Sequence, residues 1–283
     1  MPASRSLPER PDRLTPAAAG WRKPKEVEYA VSDKPLTMAI TGKGGTGKTL
    51  LSALLVRGLV GDGCGPLLAV DADSAVSLPY VLGLTVGRTV SEIRVAIAED
   101  PTQRKQLLER HVRDVVSEIV QHGPGFDLLV MGRSEGPGCY CSVNDLLRYG
   151  IEALGSRYRY IVVDGEAGPE QVNRRVLSTI DTLVVVTDTS ARGARTAELI
   201  RGIAVAPARM ASSRIGLVVN RVHGGEAEAR AVAARVGIPL FGWLPEDEEA
   251  RSFDAVGRPL IGLPDSAPCV AAARTVLGCL KGR

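Results

Sequence analysis

The chain of 283 residues lacks a long apolar run: LLAV, LLVM, YIVV, LVVV and GLVV typify its apolar segments. A membrane-spanning helix needs about 20 such residues, so membrane insertion is excluded as an expectation. Cysteine is sparse and odd in number, five in all, and no secretory h-region precedes them. A disulfide framework is therefore not expected, and a reducing, cytoplasmic setting is. Charge of one sign is also missing. Lys plus Arg is 35 against 32 for Asp plus Glu, a formal +3 that does not point to nucleic acid as the partner. Apolar residues at 45% and charged residues at 24% exclude a wholly disordered chain. A chain of this size buries roughly three quarters of its unfolded surface, so its stability does not require a metal, and any metal site is to be read as functional.

Residues 1–34 differ from the rest. They hold Pro2, Pro8, Pro11, Pro16 and Pro24, with seven basic and five acidic side chains. That mixture is too acidic for a mitochondrial presequence, and the segment is expected to be a flexible extension. Residues 35–283 are expected to form a single domain.

From Leu36 onward, short apolar runs recur near 36–41, 67–71, 126–131, 159–164, 182–187, 214–220 and 239–243, with helical composition between most of them. Continuous apolar runs suit strands buried on both faces. The expected fold class is α/β: a doubly wound, mostly parallel sheet of about seven or eight strands with helices on both faces. Ligands of such sheets collect at the carboxyl ends of the strands.

The first run leads into GKGGTGKT at 42–49 and then an apolar helix. This is the phosphate-loop pattern G-x-x-x-x-G-K-[ST] in its required strand-to-helix setting. Gly42, Gly44, Gly45 and Gly47 let the backbone turn its N–H groups inward at a helix N-terminus, which makes an anion nest. Lys48 is expected to reach the β- and γ-phosphates, and the Thr49 hydroxyl to bind Mg²⁺. The nucleotide is expected to touch Gly42 to Leu50 throughout, Lys43 and Thr46 included.

Other strand ends carry further candidates. Asp71 and Asp73 follow the second run, and a carboxylate pair at this spacing can divide work between Mg²⁺ and the attacking water; for Asp73, a helix N-cap is the rival reading. Asp164 ends the fourth run as a Walker B carboxylate, placed to hold Mg²⁺ through water. Gly168 follows as a candidate γ-phosphate sensor on a switch loop. No N-K-x-D guanine motif occurs, which favours ATP over GTP.

The third run is followed by GPGCYC, with Cys139 and Cys141 one residue apart and a helix beginning near Ser142 and Asn144. A helix N-terminus favours thiolate, and a thiolate pair is half of a soft metal site for Zn²⁺, Ni²⁺ or Cu⁺. A two-fold dimer would complete a four-sulfur set. Buried structural cysteines and a strained disulfide are the alternatives. Cys64, Cys269 and Cys279 are expected to pack in the core.

The loop form G-K-G-G-x-G-K-T resembles the deviant Walker A of the superfamily that includes MinD, ParA, ArsA and the nitrogenase iron protein, within the SIMIBI class of P-loop NTPases. The resemblance implies that Lys43 crosses a dimer interface to the partner's nucleotide, a role like that of an arginine finger. It implies that Asp73 positions water and Asp71 lies in the outer shell of Mg²⁺. It further implies that Asn220 meets the adenine edge beside Arg221, and that Leu244-Pro245-Glu246-Asp247 covers the base.

The stretches MGRSEGPGCYCSVNDLLR, GKGGTGKT, DADS, VVDGEAGPEQVNRR and LPEDEE are similar to CooC-type ATPases, the nickel-insertion accessory proteins of anaerobic carbon monoxide dehydrogenase. The likeness covers roughly residues 36 to 280. It implies an ATP-dependent homodimer that carries Ni²⁺ or Zn²⁺ between paired C-x-C motifs and delivers nickel to an apo-metalloenzyme client resembling carbon monoxide dehydrogenase, with neither nucleic acid nor membrane as partner. Departures lie in the switch regions: SAVSLPYVLGL follows Asp73 where an Asn-rich segment is usual, Gly165 replaces a common Asn, and Gln171 a common His. The leader before the first strand is also unusual. A ParA/MinD-like positioning ATPase is the alternative. An iron–sulfur electron donor like nitrogenase iron protein fits less well, because its cysteines are well separated.

Overall fold

The computed structural model describes residues 34–133, 141–168, 180–205 and 214–282, the side chains of Leu108, Cys141 and Ser142 apart. The expected extension over 1–34, except for Lys34, lies outside the described residues, and so does Cys139.

All seven apolar runs are strands. They are β1 (Leu36–Gly42), β2 (Leu67–Ala72), β4 (Phe126–Val130), β5 (Tyr160–Ala167), β6 (Thr182–Thr187), β7 (Arg214–Val222) and β8 (Leu240–Pro245). The eighth, β3 (Gln121–Gly123), is a short polar strand that carries no hydrophobic signal. The sheet order is β3-β4-β2-β5-β1-β6-β7-β8, and only β3 with β4 is antiparallel. The protein is thus an α/β, mostly parallel sheet flanked by helices on both faces.

Alternate strand residues feed two cores. Met38, Ile40, Ala69, Val162, Val184 and Val218 face a layer made by α1 (Lys48–Gly61) and α10 (Pro268–Lys281). Ala39, Val70, Leu129, Val163, Val185 and Val219 face the other layer, which holds α3 (Val90–Glu99), α5 (Val112–Ser117), α6 (Cys141–Gly155), α7 (Ala191–Ala204) and α8 (Gly225–Val236). Three shorter helices, α2 (Leu78–Val81), α4 (Pro101–Leu108) and α9 (Glu248–Ala255), border the carboxyl-end loops. Because α1 is apolar almost all round, burial is its stable state: Leu51, Leu54, Leu55, Val56 and Leu59 are all buried. Local chemistry sets other helix starts. Asp100, Ser190 and Asp247 cap α4, α7 and α9 by accepting from the first-turn N–H groups.

The cysteine expectation holds for Cys269, which is in the core, and in part for Cys64, which is half-buried and packs against the core; Cys279 is half-buried, outside both cores. Cys64 sits in the turn that closes α1, where the Lys281 ammonium lies 3.7 Å from its sulfur. That turn is too close to the surface to be sealed.

Packing predicts a contrast between two leucines. Leu55→Ala, inside the α1 layer, should lower stability by about 3 kcal/mol, whereas Leu199→Ala, on the exposed side of α7, should stay within about 0.5 kcal/mol, as read from urea unfolding midpoints.

Candidate nucleotide-binding site

β1 is interior to the sheet, and the loop leaving it turns into α1. Two of its glycines are obligatory. Gly42 has φ 150°, and a Cβ there would come 2.1 Å from the Val186 carbonyl oxygen. Gly47 has φ 92°, and a Cβ there would come 2.1 Å from Asn220 Nδ2. Gly47 is also the N-cap of α1. A glycine has no side chain to take up the first free N–H groups of a helix, so these remain for an anion. Thr46 is fully buried, its hydroxyl donating to the Lys43 carbonyl at 2.8 Å.

Charge is concentrated beneath the loop. Lys48 is buried; desolvation lowers the pKa of its ammonium, and Asp164, Asp73 and Glu166 oppose that shift. Asp164, in the carboxyl half of β5, is buried and accepts from Ser52 Oγ at 2.9 Å and from the Thr49 hydroxyl. Asp71 lies directly across from it on β2. Burial raises the pKa of both carboxyls; Thr49 and Ser52 partly offset this at Asp164, whereas the neighbouring Asp164 adds to it at Asp71.

Asp71 also has a task that the sequence did not reveal. Its two oxygens accept from the N–H groups of Asp73 and Leu78, both at 3.0 Å, which ties the loop after β2 to the sheet end. Asp73 does not cap a helix, contrary to the rival reading. Its Oδ1 accepts from Ala75 N at 2.9 Å in an Asx turn, and Ser77 stands at the cap of α2. The loop continues through Val76 at φ 53°, a strained conformation for a β-branched residue.

A cavity of about 330 Å³ opens beside the loop. Its walls include Gly45, Gly47, Lys48, Thr49 and Leu50 on one side and Asn220, Arg221, Pro245 and Asp247 on the other. The structure thus brings together phosphate-loop residues and the residues expected near the base, though they are some 170 positions apart in the chain. Gly42, Lys43, Gly44 and Thr46 shape the loop outside the cavity wall. Lys43 is half-buried, and the N–H of Gly168 donates to the Gly42 carbonyl at 2.9 Å, joining the end of β5 to the loop's first residue.

Asn220 does more than the sequence implied. Its Nδ2 donates to the Thr46 carbonyl at 2.9 Å, and its Oδ1 accepts from Arg221 N, so this buried amide clamps the phosphate loop. Arg221 itself has φ 57°. Asp247 Oδ1 caps α9, and its Oδ2 accepts from Cys269 N at 2.9 Å, linking α9 to α10. Although burial opposes ionisation, these N–H groups hold the Asp247 carboxyl below its ordinary value. Burial, reinforced by Asp247, pushes the Cys269 thiol up to about 12. Ser52 was also missed; its one signal was a hydroxyl one helical turn after Lys48 in a largely apolar helix. Among the described residues no group of three His, Cys, Asp or Glu side chains is placed to hold a metal ion.

A glycine nest at a helix N-terminus, a buried lysine and a strand-end carboxylate define a P-loop ATPase. The CobQ/CobB/MinD/ParA nucleotide binding domain family matches residues 37–260, and the chain belongs to that family. It is 37% identical to an uncharacterized ATP-binding protein of Methanocaldococcus jannaschii, over 82% of this chain and 92% of that one. It is 29% identical to the carbon monoxide dehydrogenase accessory protein CooC of Rhodospirillum rubrum, over 88% of this chain and 97% of that protein. In fold it is similar to the septum site-determining protein MinD of Pyrococcus horikoshii complexed with Mg-ADP: TM-score 0.62 at 21% identity, covering 87% of this chain and 96% of that one.

Two outcomes follow from the geometry. Gly47→Ala should weaken ATP binding at least about tenfold by isothermal titration, because the new Cβ is strained at positive φ and displaces the Asn220 clamp. For Asp247, a depressed folded-state pKa means that its contribution to stability is full above the ordinary aspartate value of about 3.9 and is lost as pH falls through the lower folded value. Wild type should therefore exceed Asp247→Asn in stability above about pH 4, and the gap should close on further acidification.

Proposed function

We propose that the protein is an ATP-driven homodimeric metal carrier that binds a soft metal ion through Cys139 and Cys141 of both subunits and delivers nickel to an apo-metalloenzyme resembling carbon monoxide dehydrogenase. The observation that carries this reading is the C-x-C pair in the connection between β4 and β5. Cys141 opens α6, a helix of 15 residues that runs back toward the start of β5. Its N-terminus therefore belongs to the carboxyl-end edge of the sheet, the edge that holds the phosphate loop. The likeness to the CooC accessory protein supports the same reading. Cys139 lies outside the described residues.

The donor set beneath the loop suits Mg²⁺: Thr49 offers a hydroxyl and Asp164 a buried carboxylate, both hard oxygen ligands. Thr49 would hold the ion directly and Asp164 through water, and the ion would neutralise phosphate charge. The chain's own groups do the remainder. The N–H groups at the start of α1 and the Lys48 ammonium bind the phosphates, while Asn220 keeps the loop in its binding shape. Asp73, with Oδ1 engaged by Ala75 N, presents its other oxygen to the attacking water. Lys43 of the partner subunit supplies positive charge as the terminal phosphoryl group departs. In this scheme ATP draws two subunits together and fixes four sulfurs, and hydrolysis releases the interface and the cargo. The coupling is reciprocal, so metal tightens ATP-dependent pairing as ATP tightens metal binding.

Metal analysis with parallel gel filtration tests the scheme. Wild type with ATP and Ni²⁺ or Zn²⁺ should elute as a dimer with one metal ion per pair. Cys139→Ser/Cys141→Ser should lose the metal and retain ATP binding. Lys43→Ala should bind ATP and hydrolyse it at least about a hundredfold more slowly. Equal metal content in wild type and the double variant would refute the carrier and leave the positioning ATPase.

A further inference from the structure

The loop that follows β2 is held in a shape its residues do not favour, and the side chain it delivers has no part in the scheme above. Val76 has φ 53°, a costly conformation for a β-branched residue. Such strain persists only where the surroundings over-determine the backbone. Here they do, because Val76 lies between two anchored points. Its N–H donates to the Asp73 carbonyl at 3.1 Å. Two residues on, the N–H of Leu78 donates to Asp71 Oδ2 at 3.0 Å, and the Leu78 side chain is fully buried. Ser77 sits between the strained residue and the buried one, so its backbone position is fixed from both sides.

Ser77 lines the nucleotide cavity together with Lys48, Thr49 and Leu50. A serine at the start of a helix ordinarily turns its hydroxyl onto the first-turn N–H groups. Ser77 precedes α2 but makes no such bond, and its hydroxyl has no hydrogen-bond partner among the described residues. The residue is half-buried, so the hydroxyl is open to a molecule in the cavity.

The surrounding contacts identify the end of the cavity that Ser77 serves. Its neighbour Leu78 is tied to Asp71, Asp71 lies across the sheet from Asp164, and Asp164 accepts from the Thr49 hydroxyl. In addition, α2 packs on α1, whose first turn carries Thr49 and Leu50. Asn220 and Pro245 belong instead to β7 and β8, on the far side of β1. Ser77 therefore stands at the phosphate end, away from the residues expected around the base.

We infer that Ser77 is a nucleotide-contact residue whose hydroxyl donates to an oxygen of the phosphate chain of ATP. A hydroxyl adds a donor without adding charge to a site that already balances the Lys48 ammonium against three carboxylates. The strain at Val76 thereby acquires a use, since it sets the angle at which Ser77 enters the cavity. The inference rests on the ATP site that the family membership establishes and not on metal carriage.

The test is isothermal titration of the full chain with ATP, and with adenosine as the probe that lacks phosphate. Ser77→Ala should weaken ATP binding about fivefold, the effect of one lost hydrogen bond, and leave adenosine affinity and the urea unfolding midpoint unchanged. Ser77→Thr, which keeps the hydroxyl, should stay within about twofold of wild type. Unchanged ATP affinity in Ser77→Ala would overturn the assignment. So would an equal loss for adenosine, or a Ser77→Thr variant as weak as Ser77→Ala, because neither result depends on a contact between hydroxyl and phosphate. Failure of wild type to bind ATP would overturn the nucleotide site itself, and the inference with it.

Discussion

An ammonium group held out of water beside a carboxylate is the constraint on which the rest of this structure depends. Burying Lys48 costs free energy that Asp164 and Glu166, in the carboxyl half of β5, and Asp73, in the loop after β2, partly offset. That requirement is met with β5 next to the strand that carries the glycine loop and β2 next to β5. Their carboxylates cannot be spread apart without leaving a charge uncompensated. A phosphate chain entering the nest meets a site whose positive groups are already oriented, so little reorganisation remains to oppose binding.

A second constraint is the clamp from β7. Asn220 reaches across the sheet end to the Thr46 carbonyl, and the absence of a Cβ at Gly47 lets it approach. The residues around the base and those around the phosphates are thereby one mechanical unit. Asp247 extends that unit to α10 through Cys269, so the cavity wall, two helices and the glycine loop share a continuous set of hydrogen bonds.

How much of this was legible in the sequence follows from the range of each interaction. Six of the seven apolar strands were legible because burial on both faces restricts the residue type along the run, while the partly exposed β8 kept an apolar run all the same. The three-residue β3, with Gln121, His122 and Gly123, is held only by pairing with β4 and has no pattern of its own. The glycine loop was legible because its backbone shape forces residue identity at fixed spacing. The Asn220 clamp, the tie from Asp71 to Leu78 and the Ser52 contact with Asp164 were not, because each joins elements whose adjacency exists only once the sheet is assembled. The cysteines divide on the same principle: Cys269 is enclosed by α9 and α10, whereas Cys64 lies in a turn whose depth the sequence does not encode.

The brevity of β3 has its own consequence. An edge strand of three residues, antiparallel to its neighbour, offers few unpaired backbone groups along which a foreign strand could zip. Sheet-to-sheet fusion at that margin is thereby discouraged, and self-association there is steered toward side-chain surfaces instead of backbone ladders.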